Sequence, residues 1–344
     1  MNHIDYKNNK CYNISIMSER VTTFEQLISN VPDERIETAE SYWADRSLSR
    51  VVEEMPQLET FRYGNVAVIN PDTKDFDETR SLVVLLEYLQ GYSPAHYMRA
   101  KVMQQYAVPN NRVILVPGAE AMDLSGALSD EEKSELASGD YRPFANMVAE
   151  VVEHADHKKK FGTIDITGPS QGALSALGMV GVKNLYCDIG KVVAVDPVSK
   201  TDRSIMGLLV DNFTGSGSVG DAVKRSGIPA QQEAMSGLGF TKDIAKFLGK
   251  MLFTAEAHLI GRGMTGSAEG LITDALNQPK LDEGAMSIYY IEGSKIFDPL
   301  SLSDETRSRV RITQMQASEN TDKHMTINNL PFHAAMVNDG ILNY

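Results

Sequence analysis

At 344 residues, with 46 acidic against 33 basic side chains and a formal net charge of −13, the chain is long enough for one large core with insertions. It lacks the basic footprint by which a protein binds nucleic acid. Two cysteines, Cys11 and Cys187, cannot make a disulfide framework and form no C-x-x-C pair. No apolar run reaches the length of a membrane span, and the opening MNHIDYKNNKCYN has no charged-then-apolar secretory pattern. A cytoplasmic chain without an integral membrane segment is the expectation.

Residues 1 to about 17 read as a poorly packed extension, with Met17 as an alternative start. Thr22 to Glu54 spaces Phe24, Leu27, Ile28, Ile36, Trp43, Leu48 and Val51 among charges, which predicts one or two surface helices. Trp43 reads as a packing anchor. From Leu58 the stretch FRYGNVAVINPD predicts strand, turn and strand, stopped at Asn70-Pro71-Asp72. Ser81 to Leu86, SLVVLL, is a continuous apolar run suited to a strand covered on both faces. A helix from about Ala95 to Tyr106 follows, capped by Ser93 with Pro94 at its first position. Arg112 to Val116 predicts another central strand, Leu124 to Asp140 a loop, and Pro143 to about Ala155 a helix.

Next comes Phe161 to Gly178, FGTIDITGPSQGALSALG, where a strand around Ile164 and Ile166 meets a helix carrying Ala173, Leu174, Ala176 and Leu177. Gly168-Pro169-Ser170-Gln171-Gly172 between them is G-x-S-x-G in strand, turn and helix context. A hydroxyl at the tip of so sharp a bend needs neighbours without a Cβ at positions two before and two after, which Gly168 and Gly172 supply. The helix start, with the Gln171 N–H first, then faces any developing oxyanion. Pro169 is tolerable there if its position has no ladder partner for an N–H. Lys191 to Val195 predicts the next strand, ending at Asp196-Pro197.

Ser199 to Asp282 breaks the alternation. It has glycines throughout, methionines at 206, 235, 251 and 264, and an amphipathic piece from Thr241 to Thr254, but no convincing strand. A mostly helical insertion over the carboxyl edge of the sheet is expected, with either a covering or a packing role. Gly215 to Gly220 lacks a preceding strand, so a hinge is expected there rather than a dinucleotide loop. The sheet resumes with Met286 to Ile291 and Val310 to Met315, and LPFHAAMVNDGIL in the tail predicts a final helix. The fold class is therefore α/β: a mostly parallel central sheet with helices on both faces. Its expected parts are an N-terminal extension with surface helices (1–57), a first core part (58–198), the helical insertion (199–283) and a second core part (284–344). No H-E-x-x-H and no Cys/His cluster is present, so neither a metal nor another cofactor is expected.

With the elbow at Ser170 and this strand order, the chain from about residue 58 to 344 resembles the α/β-hydrolase superfamily. Gly168-Pro169-Ser170-Gln171-Gly172-Ala173 also resembles the elbow of phage esterases that release lipid from mycobacterial-type cell walls, which carry an aromatic where Pro169 stands. The superfamily resemblance implies a nucleophile, an acid after a late strand and a histidine after the last strand, in that order. It implies Ser170 as nucleophile and His324, in SENTDKHMT, as base, while His333 in the tail helix fits a satisfied core histidine. For the acid the first choice is Asp298 after MSIYYI, with Asp196 after KVVAV and Glu292 as the alternatives. The second oxyanion donor is implied near Tyr88 or Leu89, with Glu87 turned away or paired with a cation. The implied reaction is serine-dependent cleavage of a small-molecule or lipid ester. Thioesterase, amidase, acyltransferase or cofactor-free peroxidase chemistry on the same fold, or a scaffold without turnover, are the alternatives.

Overall fold

The computed structural model describes residues 19–61, 64–69, 80–85, 92–108, 112–116, 128–155, 163–182, 187–199, 216–236, 249, 254–266, 268–279, 281–282, 284–294, 296–316 and 327–342. Their strands are β1 (Arg20–Thr22), β2 (Glu59–Phe61), β3 (Gly64–Ile69), β4 (Arg80–Leu85), β5 (Val113–Val116), β6 (Thr163–Pro169), β7 (Asp188–Val195), β8 (Met286–Ile291) and β9 (Arg311–Met315). They form one sheet in the order β1-β9-β8-β7-β6-β4-β5-β3-β2. Pairing is parallel from β1 through β5, while β3 runs antiparallel to both β5 and β2.

The continuous apolar strands owe their composition to cover on both faces. Val83 and Leu85 of β4 enter one apolar layer and Leu82 and Val84 the other, and all four are fully buried. The first layer is roofed by helices Arg142–Ala155, Gln171–Val180 and Ala268–Leu276, the second by Pro94–Ala107 and Leu330–Leu342. The N-terminal segment folds as three helices, Phe24–Ile28, Asp33–Ala44 and Leu48–Glu54, against the second layer. Trp43 is buried there, its Nε1 donating to Gln105 Oε1 at 2.8 Å.

Several expectations change. β1, three residues with two exposed or half-exposed side chains, carries no strand signal of its own. It is held by fully buried Asp339 of the last helix, which accepts from Arg20 Nη1 at 2.9 Å, Arg311 Nη2 at 2.6 Å, and Tyr289 Oη at 2.6 Å. Within the expected loop 124–140 lies a helix, Asp130–Ala137, started by a capping box between Ser129 and Glu132. Ser93 stands at the N-cap of Pro94–Ala107 without capping it, because its hydroxyl bonds His96 Nδ1 at 2.7 Å instead. The described part of the glycine-rich run, 216–220, opens a helix, Ser216–Arg225, where a hinge was expected.

The described part of 199–283 is helical, and its helices divide between the two faces. Ala255–Met264 and Ala268–Leu276 contribute Ile260, Leu271 and Ile272 to the first layer, whereas Pro229–Ser236 contributes Ala230 to the second. Apolar residues at helical spacing bury against whichever layer adjoins them. Most of Thr241 to Thr254, together with residues 1–18, lies outside the described residues.

Two buried imidazoles make stability depend on pH. Burial, then the Arg99 cation, lowers His96 to about 3 and His333 well below the ordinary histidine value. Below about pH 6.5 the unfolded chain takes up protons at both sites that the folded chain does not. The stability these neutral rings contribute is therefore present in full above about pH 6.5 and is lost as pH falls towards the folded values. Urea unfolding at pH 7 and pH 5 should show this loss, with about 2 kcal/mol of it from His96, and His96→Gln should remove that share. An unchanged pH difference in that variant would contradict the assignment.

Candidate active site

β6 ends at Pro169, and helix Gln171–Val180 begins two residues later. Ser170 makes the whole bend, at φ 53° and ψ −119°. A left-handed φ in a residue with a Cβ is strained by roughly 1–3 kcal/mol and persists only where the surroundings enforce it. Gly168 shows the enforcement: a Cβ there would lie 2.4 Å from Gly172 O and 2.8 Å from Leu85 O. Those are backbone atoms of the new helix and of β4, so neither can move aside. Pro169 fits because the β4–β6 ladder ends at Val84 and Thr167, while Ser170 N donates to Val195 O of β7 at 2.8 Å.

Ser170 occupies the N-cap of its helix, yet its side chain makes no capping bond. Serine normally caps from this position. Among the described residues Oγ has no hydrogen-bond partner, so the hydroxyl is not committed to structure. Gln171 is buried, and its Nε2 donates to Tyr141 Oη at 3.2 Å, which also meets Ser175 Oγ at 3.2 Å. Burial pushes the Tyr141 phenol well up, so it stays neutral. This network, which no sequence motif announces, draws the Gln171 side chain under the helix.

β7 carries one extra residue relative to β6. The register passes from Ile164 opposite Ile189 to Ile166 opposite Val192, and Asp165 Oδ1 accepts from Lys191 N at 2.8 Å within this bulge. Beyond it Pro169 faces Val195, so Ser170 and Asp196 fall level at the ends of neighbouring strands. Asp196 is fully buried and, like Ser170, has a left-handed backbone, at φ 47°. Its N–H donates to Tyr289 O at 2.6 Å, and its Oδ2 accepts from Ser294 Oγ at 2.7 Å. Ser294 escaped sequence reasoning; the only hint of it is the turn at Gly293, whose φ is 68°.

Asp298 lies farther across the sheet edge. It is exposed, and its Oδ1 accepts from Leu300 N at 2.9 Å at the head of a short 3-10 turn, Pro299–Ser301. With Glu19, Tyr290, Ser294 and Gln314 it lines an open cleft of about 400 Å³ beside β8, β9 and β1. Glu292 is half-buried next to β9, its N–H donating to Met315 O at 2.8 Å. His324, Glu87, Tyr88 and Leu89 lie outside the described residues. His333 is a fully buried core residue whose Nδ1 accepts from Arg99 at 2.9 Å. Among the described residues no group of His, Cys, Asp and Glu could hold a metal ion, and no helix is long and apolar enough to cross a membrane.

No family model matches the chain, and no curated protein does. Among solved structures it is similar to naproxen esterase (carboxylesterase NP) from Bacillus subtilis, at 13% identity and a TM-score of 0.44, over 90% of this chain and 95% of that one. It is also similar to the thioesterase domain from the curacin biosynthetic pathway, at 12% identity and a TM-score of 0.40 over 81% and 95% of the two chains. A third is the peroxisomal alpha-beta-hydrolase Lpx1 of Saccharomyces cerevisiae, at 12% identity and 0.44 over 83% and 86%. At such distances the fold rests on this chain's own features. The order β2-β3-β5-β4-β6-β7-β8-β9, the antiparallel β3 and the strand–serine–helix bend after β6 define the α/β-hydrolase fold.

Gly168→Ala should destabilise the protein by about 3 kcal/mol, since the added methyl meets only backbone. Chemical denaturation measures it; a loss below about 1 kcal/mol would show that the bend tolerates a side chain.

Proposed function

We propose that the protein is a serine hydrolase that cleaves a carboxylic ester with an apolar acyl part. The observation that carries this reading is the left-handed backbone of Ser170, enforced by Gly168 and leaving an uncommitted hydroxyl at a helix N-terminus. Unfavourable backbone geometry kept at such a place is a mark of functional sites. In the proposed reaction Ser170 Oγ attacks the ester carbonyl while His324 takes its proton. The tetrahedral oxyanion is held by the backbone N–H of Gln171 and by one from the Leu89 region. Collapse expels the alcohol, which receives the proton from His324, and water then releases the acyl group from Ser170 by the same steps in turn.

Asp196 is the acid that best suits this chemistry. It is buried, level with Ser170 on the adjacent strand, and fixed by Ser294. A carboxylate in that setting can orient an imidazole and stabilise its charged form. A second reading gives the role to Asp298, which follows β8, the late strand after which the superfamily resemblance implies the acid, and whose Oδ1 is fixed by Leu300 N. The same nucleophile can also attack a thioester or an amide, so a panel of acyl donors with different leaving groups selects among them.

Ser170→Ala should lower kcat for ester hydrolysis by about a millionfold, with the fold unchanged by circular dichroism. Asp196→Asn should lower it by about ten-thousand-fold, and Asp298→Asn by far less. The reverse order of the two acid variants would transfer the role to Asp298. Hydrolysis undiminished in Ser170→Ala would end the proposal.

A further inference from the structure

Helix Pro94–Ala107 carries a half-buried cation that the proposed chemistry does not use. Arg99 donates through Nη1 to Ile327 O at 3.1 Å and to His333 Nδ1 at 2.9 Å, and through Nη2 to Asn328 Oδ1 at 3.1 Å. Gln231, almost fully buried on helix Pro229–Ser236, donates Nε2 to Asn328 O at 2.7 Å. The turn is closed on its own side by Asn329, whose Oδ1 accepts from Phe332 N at 3.2 Å. Two stretches far apart in sequence, at Arg99 and at Gln231, thus converge on residues 327–329.

Even a half-buried guanidinium gives up part of its hydration, and an apolar side chain would pack these helices as well. What Arg99 adds is a planar fork that fixes a carbonyl, a carboxamide and an imidazole in one mutual geometry. His333 can accept from it because its ring is held neutral by burial and by the cation itself. The location is informative too. Ile327 stands three residues after His324 in the sequence, a reach of at most about 11 Å along the chain. Pro94, which opens the Arg99 helix, follows closely on Leu89 and its neighbours.

We infer that Arg99 is a positioning residue for the proposed base: it clamps the chain just beyond His324 to the helix that follows the expected oxyanion segment, and Gln231 extends the clamp to the insertion. The inference rests on the triad reading above. Catalytic geometry is sensitive at this level, since a shift of about 1 Å in a reacting group can lower a rate about a hundredfold.

The test compares wild type, Arg99→Met, Arg99→Lys and Asn328→Ala in ester hydrolysis and in the rate of covalent labelling by an alkyl fluorophosphonate. Arg99→Met should lower kcat and the labelling rate about 10- to 100-fold with KM within about twofold, and Arg99→Lys should recover part of the loss. A merely structural role would instead reduce the folded fraction and leave the folded survivors at wild-type kcat. If Arg99→Met does not fold, Asn328→Ala, which removes one acceptor from a half-exposed turn, is read by the same criteria. Folded variants that react at the wild-type rate overturn the clamp alone. A wild type that does not label, or a Ser170→Ala protein that labels equally, overturns the triad reading and the clamp with it.

Discussion

The site depends on one steric conflict, settled within the single residue between β6 and the helix that follows it. The chain leaves β6 and must start a helix within a single residue, and only a left-handed backbone at Ser170 turns it that fast. Nothing larger than hydrogen fits at Gly168, because the helix that follows and the end of β4 already occupy the space. Strain of this size has to be offset elsewhere. The offset is visible in the helix itself, every residue of which from Gln171 to Val180 is buried against the sheet and its neighbours. The conflict also keeps the hydroxyl from capping the helix, which is its usual employment at that position.

The second constraint is register. Had β6 and β7 paired without a bulge, Val195 would stand level with Ser170 and Asp196 would lie one residue further on. The extra residue in β7, with its backbone N–H satisfied by Asp165, brings the buried carboxylate level with the bend. Two residues with left-handed backbones then sit side by side at the carboxyl edge, where ligands of open α/β sheets bind. Ser170 and Asp196 are the two non-glycine residues with positive φ among the described residues.

Much of this architecture was legible from residue patterns. Runs such as SLVVLL and KVVAV suit strands covered on both faces, and G-x-S-x-G acquires meaning from the strand before it and the helix after it. β1 was not legible, because what holds it is tertiary: Arg20 reaches Asp339 across nearly the whole length of the sequence. Asp130–Ala137 is polar enough to pass for a loop and buries only Leu136. The bulge could not be foreseen, since register depends on both partners. For the same reason sequence order alone puts Asp298, beyond the late strand, ahead of Asp196, although each is a carboxylate beyond a strand. Burial and strand level separate them in the fold. Arg99 and Ser294 belong to no motif and are recognised only by what they touch.

The central claim is that the bend after β6 turns an ordinary hydroxyl into a nucleophile. It is tested most directly by treating the folded protein with a fluorophosphonate and mapping the modified peptide by mass spectrometry. The account predicts a single stoichiometric adduct on Ser170, abolished when the protein is first unfolded. An adduct confined to another residue, or none on a protein that is demonstrably folded, would contradict it.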